Sequence, residues 1–154
     1  GKVPVLTIDG TTLWESGAIL TYLGIRHGGK LWPESAAQLA TALNLLYLES
    51  AAFQDQASVF FFNRVILPMA GKPGDDARLA KAGKKIAPLL GLIQDILGAQ
   101  DYLLGDFSLV DCAFAPWLPV LDLDEFPALH AWRARLRGRS SWEKCAFAYD
   151  TPQG

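Results

Sequence analysis

Cysteine is scarce in this 154-residue chain, and the two present, Cys112 and Cys145, lie far apart with no CxxC or Cys/His ligand spacing. That leaves no basis for a disulfide scaffold or a zinc site, and points to a reducing, cytoplasmic setting with no metal. An excess of charge of one sign is also lacking, with 14 basic residues against 16 acidic ones. No field is available to recruit nucleic acid or anionic lipid. No apolar run is long enough to span a bilayer, because Asn63 and Arg64 interrupt the most apolar stretch, 57–69, so membrane insertion is not expected. The chain opens on Gly1 rather than Met, without a charged segment leading into an apolar one, so neither a normal start nor a signal peptide is seen and a preceding segment is expected.

About half of the residues are apolar, at 51%, enough for one compact domain or for one domain and part of another. Two short β-rich pieces, Val5-Leu6-Thr7-Ile8 and Thr11-Thr12-Leu13-Trp14, flank Asp9-Gly10. Asp-Gly between such runs signals a hairpin, because both central positions of a type I′ turn need positive φ. Ala18, Ile19, Tyr22 and Leu23 then follow Ser16 at helical spacing up to Gly28-Gly29. Beyond a linker at Leu31-Trp32-Pro33 everything reads helical. We expect helices over 35–67 (ended by Pro68), 75–99 (with Pro88 inside), from Ser108, over 126–137 and over 141–149. Ser108 and Asp111 have capping-box spacing, with Phe107 and Cys112 at staple positions. The chain is therefore mainly α, with a hairpin and one helix ahead of an all-helical bundle. A lone hairpin is marginal in water, so this opening describes half of an α/β unit.

The succession Gly1-Lys2-Val3-Pro4-Val5-Leu6, Asp9-Gly10, Leu13-Trp14-Glu15-Ser16-Gly17-Ala18-Ile19-Leu20-Thr21-Tyr22-Leu23 resembles the second half of the thioredoxin-like domain of cytosolic glutathione transferases. The segment from Asp101 to Asp111 resembles that family's capping-box signature, and the one from Phe126 to Arg137 its penultimate helix. The resemblance covers essentially the whole chain and implies two regions: 1–29 as the C-terminal half of a glutathione-binding, thioredoxin-like domain, and 34–150 as the all-helical domain. The family's β-α-β front, which carries the thiol-activating Tyr, Ser or Cys, has no counterpart here, so the catalytic residue is unassigned.

What the resemblance implies for function is conjugation of glutathione, as co-substrate, to small apolar electrophiles, a detoxifying transferase acting as a homodimer in the cytoplasm. Val3-Pro4 would be a cis bond exposing the backbone N–H and C=O of Val3 for glutathione's cysteinyl residue. Ser16, at a helix start, suits the γ-glutamyl carboxylate, and Glu15 the γ-glutamyl ammonium. Ser16 could alternatively serve only as an N-cap, and Lys2 only as a solvated lysine rather than a neighbour of the peptide. Phe60-Phe61-Phe62 cannot all face one core on a helix. The resemblance selects Phe61 for the pocket of the second substrate, against the alternative that all three pack between helices. Asp111 reads as structural, and His27 and His130 as structural or exposed. Asp122, Asp124 and Glu125 read as a solvated loop, and Arg133, Arg135, Arg137 and Arg139 as solvated surface. Two other functions share the fold: a non-catalytic interaction module, and a glutathione-dependent thiol reductase.

Overall fold

The computed structural model describes residues 3–145. Lys2 and the end of the helix expected over 141–149 lie outside the described residues. Strands Val5–Ile8 (β1) and Thr11–Trp14 (β2) pair antiparallel, with Val5 opposite Trp14 and Ile8 opposite Thr11. Asp9 and Gly10 both take positive φ, 50° and 74°, the backbone that the Asp-Gly pair was expected to supply. Helix α1, Ser16–His27, is tied to the hairpin tip, where the Tyr22 hydroxyl donates to Asp9 Oδ2 at 3.1 Å and Arg26 lies 3.6 Å from the same carboxylate. The linker does more than connect. Trp32 is buried, and its ring lies so close to Gly24 of α1 that a Cβ there would overlap it.

The long helix expected over 35–67 runs over 36–69 and we label it α2. Ser35 caps it by accepting from the Gln38 N–H at 3.2 Å. Its α-helical pieces Ala36–Leu48, Gln54–Phe61 and Leu67–Met69 are joined by π-helical turns at Glu49–Phe53 and Phe62–Ile66, so Pro68 falls inside its last turn instead of ending it. Glu49 opens the first of these turns, is buried, and accepts from Trp117 Nε1 at 2.8 Å. Burial pushes its carboxyl pKa up, and the tryptophan bond opposes that shift.

Asn63 and Arg64, the residues that break the apolar run, fasten α2 to more distant parts of the chain. The Asn63 side chain donates to Val59 O at 2.7 Å and accepts from the Asp75 N–H at 2.8 Å. Arg64 makes a two-pronged contact with Asp122 at 2.8 and 2.7 Å and also donates to Val120 O at 2.8 Å. The guanidinium holds the Asp122 carboxyl below its usual range. Asp122, read from the sequence as part of a solvated loop, thus anchors one.

Helix α3, Asp76–Leu97, is capped by Asp75 and runs through Pro88, which lies on its exposed face. Its buried stripe of Ala82, Ile86, Leu90, Ile93 and Leu97 follows helical periodicity. It meets Phe53, Ala57 and Phe60 of α2, Val110 and Phe114 of α4 (Leu109–Phe114), and Leu129, Trp132 and Leu136 of α5 (Pro127–Arg137) in one core. A short α6, Ser140–Cys145, follows. Helix α1 packs on α4, as does α2.

The arginines expected to be solvated mostly are not. Arg133 donates to the Leu118 and Leu121 carbonyls at 3.3 Å, Arg135 to Asp101 O at 2.9 Å, and Arg139 lies over the Phe107 ring at 3.5 Å. Their long side chains reach back over the helix ends, an arrangement that helical spacing alone does not reveal.

Asp111, at 0% exposure, sits at the centre of the bundle. Its Oδ2 accepts from the Ser108 N–H at 2.8 Å and the Ser108 hydroxyl at 2.9 Å, completing the capping box of α4. Its Oδ1 accepts from the Leu103 N–H at 3.1 Å and from Trp132 Nε1 at 3.0 Å. Burial pushes the Asp111 pKa up, and the four bonds act in the opposite direction. Because all four partners are donors, an amide nitrogen in place of either oxygen would face N–H or O–H groups. Asp111→Asn is expected to destabilise the protein by about 2–4 kcal/mol, read as a lowered midpoint of urea unfolding followed by far-UV circular dichroism.

Candidate functional site

The hairpin register decides what can meet. Because Val5 pairs with Trp14, Val3-Pro4 immediately before β1 and Glu15-Ser16 immediately after β2 lie at the same end of the ribbon. Two dipeptides well separated in sequence thereby become neighbours. The Val3-Pro4 bond is cis, and Val3 is 93% exposed. Lys2 lies outside the described residues.

Glu15 has φ 67° and ψ 122°, a positive-φ backbone that a side-chain-bearing residue adopts at a cost of about 1–3 kcal/mol. It occupies the N-cap position of α1 but its side chain makes no capping bond, and it is exposed. Ser16 is the first residue within the helix and so stands one position too far along to be the N-cap, the alternative role considered for it from the sequence. The Ile19 N–H bonds to Glu15 O at 3.0 Å. The N–H groups of Ser16, Gly17 and Ala18 precede that first bond and lie outside the helical ladder. A hydroxyl, three backbone donors and the positive end of a 12-residue helix therefore sit beside an exposed carboxylate. Chemically, the donors suit an anion and Glu15 suits a cation a few ångströms away, as in an α-amino acid head group.

A cleft of about 630 Å³ continues from Glu15 between α1 and α2, lined among others by Ala18, Thr21, Leu43, Tyr47 and Ser50. Ile25 and Tyr47, each 68% exposed, leave its rim apolar. The three phenylalanines divide by depth. Phe60 is buried, Phe61 is half-buried and edge-on to Trp117 with centroids 6.4 Å apart, and Phe62 is the exposed one, facing a cleft between α2 and α3. Periodicity shows that the three must diverge, and the structure has Phe62 as the one facing outward. Among the described residues, no group of three His, Cys, Asp or Glu side chains could hold a metal ion, and no helix is long and apolar enough to cross a membrane.

Comparison with known proteins finds the family "Glutathione S-transferase, N-terminal domain" over residues 1–24 and "Glutathione S-transferase, C-terminal domain" over residues 76–135. A glutathione S-transferase from Hyoscyamus muticus is 31% identical over 155 residues, covering 94% of this chain and 73% of that protein. The structure of glutathione S-transferase-I bound with lactoylglutathione superposes with a TM-score of 0.82 at 26% identity, covering 94% of this chain and 74% of that one. Glutathione S-transferase I from mais, in complex with an atrazine glutathione conjugate, gives a TM-score of 0.78 at 27% identity over 99% of this chain and 76% of that one.

The geometry at Glu15 carries a prediction of its own. If its positive φ is maintained by the fold at the expense of stability, glycine should relieve it. Glu15→Gly is expected to raise unfolding stability by about 1 kcal/mol, measured by urea denaturation. A loss of stability would show that the Glu15 side chain contributes to the fold.

Proposed function

The chain belongs to the glutathione S-transferase family, and we propose that it binds glutathione at the hairpin end and takes part in transfer of its thiolate to small apolar electrophiles. The observation that carries this reading is the junction of Val3-Pro4 with Glu15-Ser16 at one end of β1 and β2. There the γ-glutamyl carboxylate meets the Ser16 hydroxyl and the free N–H groups of the first turn of α1, while its ammonium faces Glu15. The cysteinyl residue pairs with the backbone N–H and C=O of Val3, and Lys2 adds a cation near the peptide. An interaction module freed from glutathione has no need of a strained Glu15, which speaks for the transferase reading over the non-catalytic one.

In the reaction the glutathione thiol gives its proton to solvent or a base, and the sulfur forms a bond to an electrophilic carbon. That carbon either expels a leaving group with its bonding electron pair or, at an activated double bond, passes the π pair onward to be protonated. No residue of this chain is assigned to lowering the thiol pKa. The glutathione-bearing relatives, one with lactoylglutathione and one with an atrazine conjugate, support a pocket for an apolar second substrate. We place Phe61 in its wall. Residues 1–29 act as the thioredoxin-like, glutathione-binding part and 34–150 as the helical part. The apolar rim formed by Ile25 and Tyr47 supports a homodimer closed through α1 and α2, the two unpaired cysteines support a cytoplasmic setting, and the detoxifying role follows from the transferase reading.

Retention on immobilised glutathione tests the site. Ser16→Ala and Glu15→Ala are each expected to weaken glutathione binding roughly tenfold or more, the scale of a lost charge-assisted hydrogen bond, with unchanged circular dichroism. Undiminished retention of both variants would refute the assignment.

A further inference from the structure

A cleft of about 460 Å³ runs between α2 and α3 and has two unlike parts. Val59, the exposed Phe62 and the buried Ala82 form its apolar part, while Arg78, Lys81 and Lys85 of α3 supply three cations; no carboxylate lines it among the described residues. The sequence of α3 shows the same imbalance. Between Asp76 and Asp95 it carries Arg78, Lys81, Lys84 and Lys85 and not one acidic residue. Lys81 and Lys85 are four positions apart, and Arg78 and Lys81 three, spacings at which like charges on a helix repel. Arg78 also lies in the first turn of α3, where the positive end of the helix disfavours a cation.

Little within the described residues neutralises this row. None of the four ion pairs found there includes Lys81, Lys84 or Lys85, and Arg78 reaches only Asp75, at 3.7 Å, with its own side chain 72% exposed. The other oxygen of Asp75 is occupied in capping α3. The overall charge of -2 conceals this concentration, since four of the seven lysines fall between positions 72 and 85. What fits the row is an elongated anion. Along the helix axis Arg78 and Lys85 are about 10 Å apart and Lys81 and Lys85 about 6 Å. Alternate side chains of an extended peptide recur at about 6.6 Å on one face, close to the second spacing. The Gln56 amide, also on the lining, can pair with a peptide group. We propose that the cleft between α2 and α3 is a docking site for an extended acidic peptide segment of a partner protein, its carboxylates on Arg78, Lys81 and Lys85 and an apolar side chain on Phe62. The apolar lining of Val59, Phe62 and Ala82 favours the side chains of a peptide over the phosphates and sugars of a nucleic acid strand. The cleft shares no residue with the hairpin end and does not depend on the function proposed there.

The probe is the peptide Ac-Glu-Glu-Phe-Glu-Glu-NH2, titrated into the whole chain and followed by amide chemical shifts. At an ionic strength of about 0.02 M it is expected to bind saturably with a Kd on the order of a millimolar or below, moving the amides of Phe62, Lys81 and Lys85. At about 0.15 M, where surface charges are screened, the affinity should fall several-fold. Exchanging every glutamate of the peptide for glutamine, or combining Lys81→Gln with Lys85→Gln in the protein, is expected to weaken binding roughly fivefold or more. Lys30→Gln with Lys144→Gln, the same loss of charge away from the cleft, should leave it unchanged. Alanine for the peptide's Phe, and Phe62→Ala, should each weaken binding roughly threefold, and together by less than the product, because both remove one contact. Equal binding of the glutamine peptide, undiminished affinity in the Lys81 and Lys85 double variant, an equal loss in the Lys30 and Lys144 control, tighter binding of pentathymidylate than of the peptide, or no saturable binding would each overturn the proposal. Should Phe62→Ala fail to fold, the alanine peptide on the wild-type chain reads the same contact.

Discussion

Four donors converge on the two oxygens of Asp111, and the rest of the structure depends on that convergence. The carboxylate joins the loop at Leu103, the cap of α4 at Ser108 and the indole of Trp132 on α5, all inside the core. Desolvation penalises such a group, so its presence is sustained only because every lone pair direction in use meets an N–H or O–H. An apolar residue would fit the core but would leave its backbone and side-chain donors buried and unmatched. The orientation of α4 is fixed in consequence, and with it that of α1, which packs against α4.

Through these contacts a buried carboxylate near the middle of the bundle reaches the hairpin end. α1 is held below by α4 and by the Trp32 ring beside Gly24, and at its outer side by Asp9, which receives both Tyr22 and Arg26. Its N-terminus, with Ser16 and three free N–H groups, is therefore presented by a rigid element rather than a loop. The strained backbone at Glu15 belongs to the same arrangement. A regular N-cap would turn a side chain inward onto the helix end, whereas the positive φ leaves the end open and the carboxylate exposed beside it.

Much of this was legible in the sequence because it depends on local chemistry. Asp-Gly between β-branched runs dictated the hairpin, and Ser35, Asp75 and Ser108 marked helix starts. What stayed hidden depends on partners distant in the chain. Asp111 could be read as a cap, but nothing local shows that Trp132 also donates to it. Arg64 and Asp122, 58 residues apart, look like an interruption and a loop until the fold brings them together. The π-turns in α2 left no periodic trace, and local spacing did not show that Phe62, not Phe61, is the exposed aromatic. For the site, the residue types at the hairpin end were evident, while the non-capping position of Ser16 and the strained Glu15 needed the backbone.

The central claim is that the two dipeptides at the hairpin end form one recognition surface for a γ-glutamyl peptide. Amide chemical-shift mapping of the chain titrated with glutathione tests it most directly, since it reads weak binding residue by residue. The account predicts the largest changes at the amides of Val3, Ser16 and Gly17, with those of α3 and α5 little altered. Changes confined to the helical bundle, with the Val3, Ser16 and Gly17 amides unmoved, would contradict it.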